Sequence, residues 1–416
     1  MTPPSGTGAG GRDRFGTGRH GLGTNHGFGG NGGGNGGGDG SALGPGARLH
    51  VVRFAPAKLN LTLAVLGKRD DGYHALHSVM APLSLGDALT VSAPPLGATR
   101  DSLRVSGLPL PPDRDNLVLR AIIATREAVA VAWPGAPALP PPLAARLAKR
   151  IPVAAGLGGG SSDAAAAIKA ALAAWSASLE APEATALASS LGSDVPFFLA
   201  NSTALVTGRG EFVEPLPEIQ GEPPAVLLVT PGLPLATQAV FKAYAGGMRV
   251  IDAGRAREVS ERLAADMRAG MSVASLMARA EDLAAANDLT AAASSMAPGL
   301  RAYVTALQKL IERPVCQSGS GPTLWALYPT LIEARKAVRF VRLAAVNGTL
   351  PFLGAGEPFV AATTIAGRPT APAEQSEGGA SGTVRPRSVH NWYEADEPAS
   401  GDPTEGQMDS KGDKSR

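Results

Sequence analysis

The stretch Pro152-Val153-Ala154-Ala155-Gly156-Leu157-Gly158-Gly159-Gly160-Ser161-Ser162-Asp163 runs without interruption into the alanine-rich segment Ala164 to Trp175. Glycine carries no Cβ, so a loop built this way lets several backbone N–H groups converge on one anion. A helix that starts directly behind it adds the partial positive charge of its N-terminus. The combination makes a phosphate cradle. The plainer reading is a flexible turn before a capped helix, and a glycine run alone does not separate the two. Ser161 and Ser162 each fit three roles: capping the helix, contacting phosphate, or helping to hold a magnesium ion. No GxxxxGK sequence followed by Ser or Thr occurs, which argues against an ordinary P-loop NTPase.

Upstream lies Pro56-Ala57-Lys58-Leu59-Asn60-Leu61-Thr62-Leu63, continuing through Gly67-Lys68-Arg69-Asp70-Asp71-Gly72-Tyr73-His74. Strict alternation predicts Leu59, Leu61, Leu63 and Val65 on one face of a strand, with Lys58, Asn60 and Thr62 on the other. The polar side is then either a solvated outer face or one wall of a site. Downstream, Leu191-Gly192-Ser193-Asp194-Val195-Pro196-Phe197-Phe198-Leu199 places an aspartate two residues before a proline and ahead of an apolar run. That position suits a helix N-cap, and it suits a general base equally. A carboxyl close to Lys58 would stay ionised, because a nearby opposite charge favours the charged form.

With 416 residues, 44% of them hydrophobic, the chain has material for one large or two medium domains with proper cores. Its formal net charge of +2 does not call for nucleic acid or an anionic membrane as the main partner. A single cysteine, Cys316, forms no internal disulfide, and no Cys/His cluster has zinc spacing, which fits a reducing cytoplasm. The N-terminus lacks the apolar stretch of a secretory signal. The segment Ala164 to Trp175 is too short to span a bilayer and is interrupted by Lys169.

Gly6 to Gly46 is dominated by glycine, and Arg368 to Arg416 is polar and rich in Pro, Ser and acidic residues, so both read as solvated tails with little to bury. Arg12, Arg14 and Arg19 would suit RNA, but only Phe15 and Phe28 interleave with them. Between the tails, the β-like runs Leu49 to Phe54, Leu59 to Val65 and Ala225 to Val229 alternate with alanine-rich helical stretches, giving an α+β or α/β class. Pro134 to Pro142 reads as a surface loop. A domain division is expected near Pro215 to Pro224.

Taken with Gln317-Ser318-Gly319-Ser320-Gly321-Pro322-Thr323, these motifs fall in the order of the GHMP kinases, and the chain resembles the diphosphocytidyl-methylerythritol kinases among them. The likeness covers roughly Arg53 to Ala366. The glycine loop is common to the superfamily; the Pro-Ala-Lys-Leu-Asn-Leu and Asp-Gly-Tyr-His segments are more specific. The resemblance implies a two-domain α+β fold: a disordered tail over 1–48, an N-terminal domain over 49–218 with the glycine-rich loop, a ferredoxin-like C-terminal domain over 219–367, and a second tail over 368–416.

It further implies ATP and Mg2+ as cofactors and a small cytidine-bearing alcohol as substrate, with no nucleic acid or membrane partner and with monomer and homodimer both open. Residues Pro152, Val153, Ala154, Ala155, Gly156, Leu157, Gly158, Gly159, Gly160, Ser161 and Ser162 would bind the nucleotide phosphates. Lys58 and Asp194 would form the catalytic pair. Asn60 would place the substrate, Tyr73 and Phe241 would sandwich the cytosine with His74 on its hydrogen-bonding edge, and Gly319 and Ser320 would lie beside the cleft. No metal ligand is singled out. A related kinase for homoserine or mevalonate, and a silent protein of the same fold, are the alternatives. The cytosine-binding pair argues against the first. The presence of both Lys58 and Asp194 argues against the second.

Overall fold

The computed structural model describes residues 50–108, 116–132, 139–247, 254–354 and 356–367. The two expected tails and the Pro134 to Ala138 part of the expected proline loop lie outside these residues. Leu139 to Pro142 is irregular chain, as proline there requires.

The first half comprises β1 (His50–Asn60), β2 (Ala64–Lys68), β3 (His74–Ser92), β4 (Ser102–Gly107), α1 (Leu117–Ala132), β5 (Ala144–Lys149), α2 (Gly159–Ala174), α3 (Ala181–Leu191), α4 (Val195–Ala200), β6 (Ala204–Gly208) and β7 (Phe212–Pro215). Its seven strands form one sheet around the long β3, ordered β4-β5-β3-β6-β7, with β1 and β2 also paired to β3. Only β4 and β5 run parallel.

The two β-like runs expected at 49–54 and 59–65 divide differently in the structure. One strand, β1, spans the first run and ends at Asn60, and β2 starts at Ala64. Its pairing with β3 shifts between Pro56 and Lys58. Proline has no N–H for the ladder, and such a break is where a bulge forms. Across the break, Leu83 bridges to Ile365 and the Leu85 N–H donates to Thr363 Oγ1 at 2.9 Å, so the irregular part of β3 reaches into the second half of the molecule.

The second half comprises β8 (Ala225–Thr230), α5 (Thr237–Ala245), α6 (Arg255–Arg268), α7 (Val273–Ala278), α8 (Ala280–Ala284), α9 (Thr290–Met296), α10 (Leu300–Ile311), β9 (Cys316–Gln317), β10 (Leu324–Tyr328), α11 (Leu331–Val346) and β11 (Phe359–Thr364). Its four strands are antiparallel in the order β11-β8-β10-β9. β8 is buried at every residue, which is why it reads as a continuous apolar run. Ala225, Leu227 and Val229 pack against Leu307 of α10 and Val341 of α11. Val226 and Leu228 face the other way, into a core that also contains Leu59, Leu61, Leu83 and Trp325. The two sheets therefore share a core, and the end of β1 is enclosed. No helix among the described residues is long and apolar enough to cross a membrane.

Candidate active site

Enclosure changes the character of the polar side of β1. Lys58, Asn60 and Thr62 are 5%, 3% and 1% exposed, so the expected alternation does not give a solvated face. A buried ammonium must be paired to persist. Lys58 Nζ donates to Asn60 Oδ1 at 2.5 Å and lies 3.5 Å from Asp194 Oδ2. Asn60 in turn donates through Nδ2 to Ser78 Oγ at 2.9 Å, and Ser78 donates to the Thr62 carbonyl at 2.5 Å. This chain fixes the amide that grips the lysine.

Asp194 occupies the N-cap position of α4, but its carboxylate makes no capping hydrogen bond. Pro196 sits in the first turn, where one missing N–H costs nothing. The carboxylate is thus available to Lys58 and to the cavity, and the aspartate is the more exposed of the two, 29% against 6% for the lysine side chain.

The glycine-rich loop lies directly over the lysine. The Lys58 N–H donates to the Leu157 carbonyl at 3.0 Å. Gly158 has φ +71°, and a Cβ there would stand 2.8 Å from the Phe198 ring and 3.0 Å from the Lys58 stem, so only glycine lets the loop settle this low. The same residue caps α2 without any side-chain bond. Neither Ser161 nor Ser162 caps the helix, which removes one of the three roles open to them. Ser161 lines the cavity, whereas Ser162 Oγ is buried with no hydrogen-bond partner.

The loop at Gln317 to Thr323 closes the opposite side. Ser318 Oγ donates to the Gly156 carbonyl at 3.0 Å, and the Thr323 N–H donates to the Ala155 carbonyl at 3.3 Å. Asn287 holds this loop from below, donating through Nδ2 to the carbonyls of Gln317 at 3.0 Å and Gly319 at 2.9 Å. Ser320 Oγ donates to Thr237 Oγ1 at 3.0 Å, tying the loop to the start of α5.

Between these parts lies a cavity of about 520 Å³. Lys58, Asn60, Asp194, Phe241, Gly319, Ser320 and the loop from Pro152 to Ser161 line it. Tyr73 and His74 do not. His74 stacks on Phe241 with ring centroids 5.4 Å apart and an interplanar angle of 28°, next to the cavity wall. Tyr73 is 52% exposed, and Arg209 lies over its ring at 5.2 Å. The structure thus pairs Phe241 with His74 and leaves Tyr73 on the outer side of the hairpin.

Three groups escaped the sequence reading. Ser78 and Asn287 support Lys58 and the second loop from positions with no motif of their own, although Asn287-Asp288 between two helices carries an Asx-turn signature, seen here as Asn287 Oδ1 accepting the Leu289 N–H at 2.9 Å. The third is a buried cluster in which Lys149 Nζ donates to Asp87 and, at 2.7 Å, to Asp163 Oδ2. Burial pushes the Asp163 carboxyl up, and the Lys149 ammonium pulls it back toward the charged form.

Residues 116–202 match the family model for the N-terminal domain of GHMP kinases. The chain is 39% identical over 287 residues to the 4-diphosphocytidyl-2-C-methyl-D-erythritol kinase of Paramagnetospirillum magneticum, covering 68% of this chain and 90% of that one. The enzyme of the same name from Deinococcus radiodurans is 38% identical over 290 residues, with 68% and 86% covered. A crystal structure of 4-(cytidine 5'-diphospho)-2C-methyl-D-erythritol kinase superposes with a TM-score of 0.52 at 30% identity, covering 76% of this chain and 99% of the other. Homoserine kinase from Cytophaga hutchinsonii shares the fold at 16% identity and a TM-score of 0.51, over 76% and 95% of the two chains.

Proposed function

We infer how the work of phosphoryl transfer is divided within this site from the premise that the chain belongs to the 4-diphosphocytidyl-2-C-methyl-D-erythritol kinase family of GHMP kinases. It is an ATP-dependent kinase that phosphorylates 4-diphosphocytidyl-2-C-methyl-D-erythritol, in the non-mevalonate route to isoprenoid precursors. Phosphoryl transfer asks a protein for alignment and for positive charge around the moving group. In our reading the backbone N–H groups from Ala155 to Ser161 take the ATP phosphates, the Ser162 N–H being held by the Gly158 carbonyl, and the alcohol lies against Asp194.

The single observation that carries this reading is the meeting of Lys58 and Asp194 under Gly158. Asp194 accepts the proton of the C2 hydroxyl as it attacks. An ammonium has three N–H donors. Lys58 gives one to Asn60 and turns another toward Asp194, which leaves a third for the negative charge that develops on the attacking oxygen. Phe241, with His74 stacked behind it, offers one wall for the cytosine; the opposite face is assigned to Tyr73, whose ring would have to leave Arg209 and turn inward to meet the base.

Ser161, which lines the cavity, would be the oxygen that holds a magnesium ion, a hard cation that takes oxygen ligands, with the orphaned Ser162 hydroxyl buried behind it. Such an ion, when bound, would neutralise charge on the triphosphate.

The division into domains at 49–218 and 219–367 rests on the two sheets, the first ending with β7 at Pro215 and the second opening with β8 at Ala225. A small-molecule substrate, a cytoplasmic setting and the absence of a nucleic-acid partner fit the near-balanced charge and the one cysteine; the reading holds equally for a monomer or a homodimer. The test is an ATP-dependent phosphorylation assay with diphosphocytidyl-methylerythritol, homoserine and mevalonate as separate acceptors. Turnover is expected with the first alone. Equal or faster turnover with homoserine or mevalonate would discard the substrate assignment.

A further inference from the structure

Asp87, Lys149 and Asp163 lie outside the Lys58 and Asp194 pair and are 0%, 4% and 3% exposed. Their placement follows the phosphate loop closely. Asp87 Oδ1 accepts the backbone N–H groups of Arg150 at 2.5 Å and Ile151 at 2.9 Å, the two residues immediately before the loop. Asp163, immediately after the glycine-rich stretch in the second turn of α2, takes the Lys149 ammonium on Oδ2. Lys149 joins the two carboxylates. Its Nζ lies beneath the loop, 3.3 Å from where a Cβ on Gly159 would stand.

Burying two carboxylates against one ammonium is costly, and apolar side chains of similar volume often support a fold as well. What apolar packing lacks is direction. Here the hydrogen bonds run to backbone and side chain on both flanks of one functional loop, and Asp163 Oδ1 is left without a partner at the loop's helix end. Lys149 and Asp163 also line the cavity that the loop roofs.

We propose that Asp87, Lys149 and Asp163 form a clasp that holds the two ends of the loop from Pro152 to Ser162 in its nucleotide-binding shape, making them positioning residues for ATP and not for the alcohol. The clasp rests on the reading that ATP phosphates sit in this loop. Preorganised N–H donors bind an anion without first paying to gather themselves, so loosening the clasp weakens nucleotide binding and leaves the acceptor side untouched.

The decisive variant is Asp163→Asn, which keeps the shape and an oxygen for Lys149 but removes the charge. ATP binding is measured by calorimetry on the full chain, beside the two KM values, kcat and the melting temperature. Wild-type protein is expected to bind ATP. The variant is expected to bind ATP about tenfold more weakly and to raise the ATP KM alike, with the acceptor KM and kcat changed by less than about threefold. Backbone amides of 153–162 should exchange hydrogen faster in the variant without ATP and regain protection with it. Lys149→Met is expected to act in the same direction and more strongly; should it fail to fold, Asp163→Asn decides alone. A merely structural cluster would lower the melting temperature and leave the ATP constants of folded protein unchanged, which would overturn the clasp. So would an equal rise in both KM values. Wild-type protein that bound no ATP would instead remove the premise, and the clasp with it.

Discussion

Lys58 Nζ stands 3.5 Å from Asp194 Oδ2, with the lysine as the buried partner and the aspartate facing the cavity. The asymmetry orders their roles. A base must meet the alcohol, whereas a charge that stabilises it can act from behind. Asn60 completes the arrangement by accepting a hydrogen bond from the ammonium.

The aromatic wall gives a prediction confined to the acceptor. Phe241→Ala is expected to raise the KM for diphosphocytidyl-methylerythritol by about 2- to 10-fold, the size of one ring-stacking contribution, with little change in the ATP KM. Tyr73→Ala should do the same. Steady-state kinetics with each substrate varied in turn would show it, and an unmoved acceptor KM in Tyr73→Ala would leave that ring to Arg209 alone.

The contact between the two loops gives a second prediction. A Cβ at Gly321 would stand 2.2 Å from the Gly156 nitrogen and 2.3 Å from the Ala155 carbonyl oxygen, with only backbone there to yield. Gly321→Ala should therefore part the loops, cost about 1–3 kcal/mol of stability as overpacking does, and raise the ATP KM. Thermal unfolding and ATP titration check the two halves. A variant with wild-type melting and ATP affinity would show that the loops tolerate separation.

Lys169 supplies a pH dependence independent of catalysis. On α2, its Nζ donates to the Phe198 carbonyl at 2.9 Å, and burial, with a smaller contribution from Arg53, lowers its pKa from the usual lysine value to about 8. The unfolded chain then binds more protons than the folded one between pH 8 and about 10.5, so this residue makes stability rise with pH across that window. Melting temperatures from pH 7 to 10 should rise more steeply, or fall less steeply, in wild type than in Lys169→Met. Parallel curves would contradict the assignment.

Much of the site is legible in the sequence because its parts are local. The glycine run, the strand residues Lys58 and Asn60, and Asp194 ahead of Pro196 each carry a short-range signal, and the fold has only to bring them together. What the sequence does not disclose is burial. The alternation around Leu59 is the same whether the polar side meets water or another part of the chain, and here Leu157, Ser318 and Ser260 cover it. The helix cap is hidden for a different reason: Ser161 and Ser162 both have capping chemistry, but Gly158 reaches the left-handed conformation more easily and takes the position. Asp87, Lys149 and Asp163 join a strand, a strand end and a helix start, so no local pattern announces them.

Asp194 takes the proton of the acceptor hydroxyl beside Lys58, and the variant that removes this ability, Asp194→Asn, is to be followed in an assay of ADP release with ATP and diphosphocytidyl-methylerythritol. Its kcat is expected to fall by about two to four orders of magnitude while the ATP KM stays near wild type. Turnover at the wild-type rate would contradict it.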